Sequence, residues 1–256
     1  MNKFVISPRI GCPPYLNSRP LIEGLEYPVI KKVPSLLCEA FLKRELDVAL
    51  LSSIDVIRFC TSAVADISIS CHGSVKSVFL AYTGDLRDLH TVQLDPSSHT
   101  SNYLAKIILR EFYGLTLQYV FPLDRHGIDF PAILIGDAAL ELRYSNSKPQ
   151  LKFMDLGEEW NINTNLPFVF ALWAIQHDYA EKSFISNIMR KTKERGLLHI
   201  DEISRSTYHP NLSKSYLDSS LNYNFGERER RGLKLFSDYL IKQDIKHTDP
   251  YSINYY

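Results

Sequence analysis

The side chains with the most chemistry to offer lie in one run, LDPSSHTSNYLAKIIL, residues 94–109. Ser97, Ser98, His99, Thr100 and Ser101 place hydroxyls and an imidazole at five consecutive positions, directly ahead of apolar residues at helical spacing. The first turn of a helix leaves four backbone N–H groups without intrahelical partners. Small hydroxyl side chains there either cap the helix or join those N–H groups in holding an anion. One Ser suffices for a cap, and Asp95-Pro96-Ser97 alone could make the turn, so capping with solvation and anion binding both stand as readings of the cluster. A carboxylate or phosphate suits such a site better than a neutral sugar.

The same reasoning extends to three other places. Tyr15, Asn17, Ser18 and Arg19 occupy an early Pro- and Asn-rich turn. Arg19 could grip a carboxylate through two parallel N–H bonds, or pair with Glu23 one helical turn on. Ser74, Lys76 and Ser77 precede the apolar stretch VFLAY, where Lys76 is either a charge for the ligand or a solvated surface lysine. Ser52 and Ser53 follow VALL, and Gly136 and Asp137 follow AILI. Asp137 reads as a helix N-cap or as a polar wall. In open α/β sheets ligands sit beyond the carboxyl ends of strands, so Ser52–Ser53, the 97–101 cluster and Gly136–Asp137 are expected to wall one cleft.

Other chemistries find no support in the sequence. G-x-S-x-G, Walker, G-x-G-x-x-G and H-E-x-x-H patterns are all absent. The cysteines, Cys12, Cys38, Cys60 and Cys71, contain no C-x-x-C pair, so neither a metal site nor a disulfide framework is expected. His72 and His99 read as hydrogen-bonding residues, and Glu158–Glu159 as a surface turn, because adjacent residues point to different sides. Lys plus Arg and Asp plus Glu are both 29, for a net charge of zero. A balanced chain lacks the positive field of a nucleic-acid binder, and GERERRGLK, with its alternating signs, reads as a solvated helix face. No signal-peptide core and no membrane-length apolar run is visible, so a reduced, cytoplasmic, soluble protein with no membrane partner is expected. The oligomeric state is left open.

The elements needed to hold these residues alternate. FVISPRIGC reads as a strand, PPYLNSRPLIEGL as a turn into a short helix, and residues 33–55 as a helix capped by Ser35 followed by the buried strand VALLSS. SVKSVFLAYT reads as a strand. The unit repeats as strand TVQLD, a helix over 96–114 closed by Gly114, and strand LQYVFPL. AILIGDAALEL gives a strand, a Gly turn and a short helix; LPFVFALWAI gives a last strand. Polar-faced helices follow after about residue 177, and the tail HTDPYSINYY, lacking a period, is expected to fray or lie on the surface. Strand–helix–strand repeats imply parallel crossovers and an α/β layered fold.

RIGCPPYLNSRPL, LDVALLSSID, SVKSV, LDPSSHTS, LIGDAAL and DLGEEWNINTNLPFVFALWA occur in that order. Together they resemble the chorismate dehydratases of the futalosine route to menaquinone, from Arg9 to Ala174, with an echo in FGERERRGLKLF. The resemblance implies a two-lobed fold similar to type II periplasmic binding proteins, with the ligand between the lobes. It implies lobe one from residues 1–88 with 174–256, lobe two from 89–173, and hinges near 84–91 and 168–176. The implied reaction is loss of water from chorismate, giving 3-[(1-carboxyvinyl)oxy]benzoate, with no metal or organic cofactor. The chain departs from the family pattern at His99, where Arg is common, and at Pro13 and Ser18, where Val and Ala are common. Loss of an Arg removes a bidentate carboxylate partner.

Under this resemblance Asn17 is the polar group nearest the reacting carbon. Ser98, Thr100 and Ser101 take one carboxylate, and Ser52 and Ser53 contact the substrate from lobe one. An amide is no general base at neutral pH, so the enolpyruvyl carboxylate of the substrate itself is expected to take the proton. A non-catalytic solute-binding protein for a small carboxylate, the related dihydroxynaphthoate synthase and a ligand-sensing regulator are the alternatives of the same fold.

Overall fold

A computed structural model of the protein describes residues 7–122, 130–145, 147–243 and 249–256. Strand β1 (Ile10–Cys12) leads through a 3-10 turn (Leu16–Leu21) to β2 (Val29–Lys31), α1 (Pro34–Leu42), β3 (Val48–Ser52), α2 (Ser53–Phe59) and β4 (Ser62–Cys71). Then come β5 (Val78–Tyr82), β6 (Thr91–Gln93), α3 (His99–Ile107), β7 (Gln118–Val120), β8 (Ala132–Ile135), α4 (Gly136–Ser145), β9 (Lys152–Asp155) and α5 (Leu156–Thr164). The chain closes with β10 (Phe168–Ile175), α6 (Lys182–Leu198), α7 (Ile200–Arg205), α8 (Pro210–Ser215), α9 (Glu227–Lys242) and β11 (Asn254–Tyr255).

Two mixed sheets result, ordered β11-β4-β10-β3-β1-β2 and β7-β6-β8-β5-β9. Parallel pairing holds for β1 with β2 and β3, and for β6 with β7 and β8. β10 runs antiparallel between β3 and β4, placing Ala171 opposite Ser52 and Phe168 opposite Cys71. β5 is likewise antiparallel to β8 and β9. Sheet membership shifts the boundaries expected from the sequence. The chain changes sheet between Cys71 and Val78 and again between Asp155 and Phe168, rather than at 88/89 and 173/174. VFLAY and the start of LPFVFALWAI each pair with the sheet opposite to the one assigned, because their apolar faces carry no mark of which sheet they complete.

Burial sets the rest. β3 is buried along its whole length, and Trp160, Trp173, Phe168 and Phe236 are 0–1% exposed. Trp160 meets Phe168, Phe236 and Tyr239 edge-to-face, tying α5 to β10 and α9; edge-on contacts suit the aromatic quadrupole. The first α9 turn is not simply solvated, since Glu229 is buried and closes a capping box on the Gly226 N–H at 2.9 Å.

Several local expectations are corrected. Val33, not Ser35, caps α1, because Pro34 at the first helical position needs no N–H partner and presets φ. The Ser35 N–H instead donates to the Ser97 carbonyl. Glu158 and Glu159 sit in the first turn of α5, capped by Asp155, and not in a surface turn. The tail is not frayed: Ile253 is buried and β11 pairs in parallel with β4. Residues 4–6 of the expected first strand, residue 123 of LQYVFPL and residues 247–248 of the tail lie outside the described residues. Among the described residues no helix is long and apolar enough to cross a membrane.

Candidate active site

A small cavity of about 60 Å³ opens where the carboxyl ends of strands from both sheets face each other. Pro13, Tyr15, Asn17, Ser52, Phe170 and Ala171 line it from the first sheet and Val78, Ser98, Thr100, Ser101, Ile135 and Gly136 from the second, with Pro34, Leu50, Ile69 and Val75 completing the wall. The structure therefore brings together the early turn and the three strand ends singled out in the sequence. No Asp, Glu, Lys, Arg or His is among these lining residues.

The five consecutive side chains at 97–101 take five separate tasks. Ser97 stays outside the cavity lining and donates to Asp95 through both its N–H and its hydroxyl, closing an Asx-type turn. Ser98 is the α3 N-cap: it accepts from the Ser101 N–H at 3.3 Å and donates its own hydroxyl to Ser101 Oγ at 2.9 Å. Thr100 Oγ1 crosses between the sheets to accept the Ile54 N–H at 3.1 Å and lies 3.3 Å from Ser53 Oγ. His99 crosses too, its Nδ1 2.9 Å from Asp55 Oδ1. Ser101 lines the cavity beside them. Capping thus uses one residue of the five, Ser97 closes the preceding turn, and the other three hold α3 against α2 or face the cavity.

Asn17 rests on a buried phenol pair. Tyr223 donates to the Asn17 carbonyl at 3.0 Å, and the Tyr216 phenol lies beside the Asn17 side chain and is bonded to Ser77 Oγ at 2.7 Å. Burial pushes both phenols far above the ordinary tyrosine range, so they remain protonated and act as donors rather than bases. Burial also raises the Tyr15 phenol, which lies beside Ser97. The Tyr15 ring lies against Gly136, whose φ is +69° and where an added Cβ would come within 3.0 Å of that ring.

The remaining predicted residues are not in the cavity wall. Ser18 is fully buried and donates to the Pro13 and Tyr15 carbonyls, shaping the turn that presents Asn17. Ser53 and Ser77 sit one layer behind, on Thr100 and Tyr216. Lys76 has φ +65° and gives its backbone N–H to Asp155 at 2.7 Å. Arg19 donates to the Ile203 carbonyl and lines a second groove on the far side of the turn, together with Asp137. Asp137 accepts the Leu16 N–H at 3.0 Å, a bond between the two sheets rather than a cap.

Three residues that matter to this geometry escaped the sequence reading. Asp155, buried, accepts from Ser74, from the Val75, Lys76, Gly157 and Glu158 N–H groups and from Arg143, fixing the crossing from β4 to β5. Asp55 has a side chain 0% exposed. Tyr216 arrives from a helical segment with no motif of its own. For Asp55 a signal existed: Ser52-Ser53-Ile54-Asp55 is a hydroxyl-x-x-acid pattern at a helix start.

This architecture, two mixed sheets with a polar-lipped cavity at their junction, defines a binding-protein-like fold. Solved structures agree on that point: a protein of Archaeoglobus fulgidus has a TM-score of 0.70 at 16% identity, covering 93% of this chain and 97% of its own. The periplasmic aliphatic sulphonate binding protein SsuA of Escherichia coli has a TM-score of 0.64 at 15% identity, covering 97% and 92%. The family model described as menaquinone biosynthesis matches residues 8–242. Curated chorismate dehydratases are similar along nearly the whole chain: that of Thermus thermophilus is 30% identical over 90% of this chain and 94% of its own, and that of Campylobacter jejuni 29% over 87% and 88%. The chain belongs to this menaquinone-biosynthesis family.

Proposed function

We propose that the protein is a carbon–oxygen lyase that removes water from chorismate to give 3-[(1-carboxyvinyl)oxy]benzoate. The observation that carries the reading is a cavity lined by hydroxyls, an amide and apolar surface with no strong acid or base, in a chain of this family. Chorismate is a dianion on an oxygenated cyclohexadiene. Loss of the C3 proton and the C4 hydroxyl makes its ring aromatic, so the driving force lies in the substrate. The protein has to orient it, stabilise developing charge and exclude water.

Thr100 and Ser101, at the start of α3, take one carboxylate together with first-turn N–H groups. The Asn17 amide, on a turn held by Tyr223, steadies the enolpyruvyl carboxylate as it accepts the C3 proton; the lining offers no side chain better suited to that task. The C3–H electron pair forms the new ring double bond as the C4–O bond breaks, and the proton taken up by the carboxylate passes to the departing hydroxide, giving water and the original carboxylate. Ile69, Val75, Val78 and Phe170 keep bulk water from the ring. The two sheets act as lobes on either side of the bound substrate. Incubation of the purified protein with chorismate, followed by chromatography with mass detection, tests the assignment: a product lighter by one water supports it, and unchanged chorismate removes it. Asn17→Ala is expected to abolish turnover while binding persists.

A further inference from the structure

The polar groups of the cavity differ in hydrogen-bond sense. Ser101 Oγ accepts from Ser98, and Thr100 Oγ1 accepts the Ile54 N–H, so these two hydroxyls have acceptor capacity in use and a proton to offer an anion. Ser52 is the reverse. Its hydroxyl donates to Asp55 Oδ2 at 2.6 Å, and no side-chain cap bond links it to the N–H groups of α2. A hydroxyl has one proton and two lone pairs; here the proton is engaged by Asp55, and Ser52, a residue of the cavity lining, has its lone pairs left to accept.

Asp55 is what holds that proton. Its carboxylate is fully buried, and its other oxygen meets His99 Nδ1 at 2.9 Å. Hydrogen bonds to a carboxylate are short and about twice as strong as neutral ones, so the Ser52 hydroxyl keeps its proton directed at Asp55 when a ligand arrives. A ligand carboxylate placed at Ser52 would meet lone pairs and be repelled, whereas an alcohol would find an acceptor. Asp55 belongs to α2 under the first sheet and His99 to α3 under the second, so the polarity of Ser52 is fixed where the two halves meet.

We propose that Asp55 and His99 act as positioning residues that turn Ser52 into a hydrogen-bond acceptor for the ring hydroxyl of the substrate. Ser52 thereby distinguishes the hydroxylated substrate from the aromatic product, which has lost that group. The inference rests on the dehydratase reading and adds to it an orientation: carboxylate toward the start of α3, alcohol toward the start of α2. It also separates substrate from product at the hydroxyl group that the reaction removes.

The test compares KM for chorismate with the inhibition constant of the aromatic product in wild type, Ser52→Ala and Asp55→Asn. Loss of one neutral hydrogen bond corresponds to about two- to tenfold in affinity. Ser52→Ala is expected to raise KM by that factor, with kcat changing less and product inhibition unmoved. Asp55→Asn supplies an amide N–H to Ser52 and frees its hydroxyl to donate, so product is expected to bind more tightly relative to substrate. Equal changes for substrate and product, or no change in either, would overturn the inference even if Asp55→Asn fails to fold, because Ser52→Ala alone decides it. Wild-type protein that leaves chorismate unchanged defeats the dehydratase reading and this inference with it, an outcome distinct from active protein whose Ser52→Ala variant treats both ligands alike.

Discussion

Thr100→Val isolates one hydroxyl at the junction of the sheets while keeping the shape of the side chain. In the folded protein Thr100 Oγ1 accepts the Ile54 N–H at 3.1 Å, is 2% exposed as a residue, and reaches the cavity wall. Valine leaves that backbone N–H without its side-chain acceptor, a loss of about 1–3 kcal/mol of folding stability. For a chain of this size each kcal/mol lowers the melting temperature by about 2–4 °C. A hydrogen bond to a charged group contributes about 1.5–3 kcal/mol, so loss of the donor to the ligand carboxylate should weaken chorismate binding by about 10- to 150-fold. Differential scanning calorimetry reads the first effect, and KM with kcat the second. Thr100→Ser retains the hydroxyl and should recover most of the affinity. A valine variant that processes chorismate with wild-type constants would refute the assignment of Thr100 to the carboxylate. A melting point unchanged to within 1 °C would refute the structural role of its bond to Ile54.

Asp155→Ala removes a buried carboxylate that holds Arg143, the Ser74 hydroxyl and the 75–76 backbone; breaking a buried pair costs about 3–5 kcal/mol, and urea unfolding should show a loss of that order. Hydrogen bonding to Asp55 raises the His99 pKa, so its contribution to stability is complete below the unfolded value of about 6.5 and fades as pH rises through the higher folded value. The melting-point gap between wild type and His99→Gln should accordingly be widest in mild acid and narrow in base; a gap that widens with pH contradicts the pairing. All four cysteines are buried and unbridged, with the Cys12 and Cys38 thiols pushed up to about 11 and about 12 chiefly by desolvation. Thiol reagents at neutral pH should label none of them in the native protein and all four after denaturation; rapid native labelling would show the burial to be wrong.

Strand ends and helix starts were legible because both carry local chemistry. VALLSS, AILIGDA and the hydroxyl run at 97–101 announce a buried strand or a helix mouth within a few residues, and the cavity is built from those places. What local pattern cannot carry is pairing. β10 reads as a strand from composition alone, yet its antiparallel place between β3 and β4 depends on contacts over a hundred residues away. α2, only seven residues of SIDVIRF, resembles a strand because Ile and Val are β-branched. β4 is less legible because Ser68 and Ser70 occupy the face opposite Ile67, Ile69 and Cys71 and give no sign of burial on both sides. Both are buried, and their hydroxyls donate to the Asn224 and Asn222 carbonyls. The polar layer behind the cavity was hidden for the same reason. Tyr216 acts on Asn17 and Ser77 only through the fold, and Arg19 looked like a carboxylate clamp until the turn directed it to the Ile203 carbonyl.

Chorismate mixed with the purified protein, followed in time for an aromatic product, bears most directly on the idea that neutral donors suffice to let this substrate aromatise. The account predicts stoichiometric conversion to 3-[(1-carboxyvinyl)oxy]benzoate and one water, abolished by Asn17→Ala. Conversion that survives Asn17→Ala undiminished, or chorismate bound tightly and released unchanged by the wild-type protein, would contradict it.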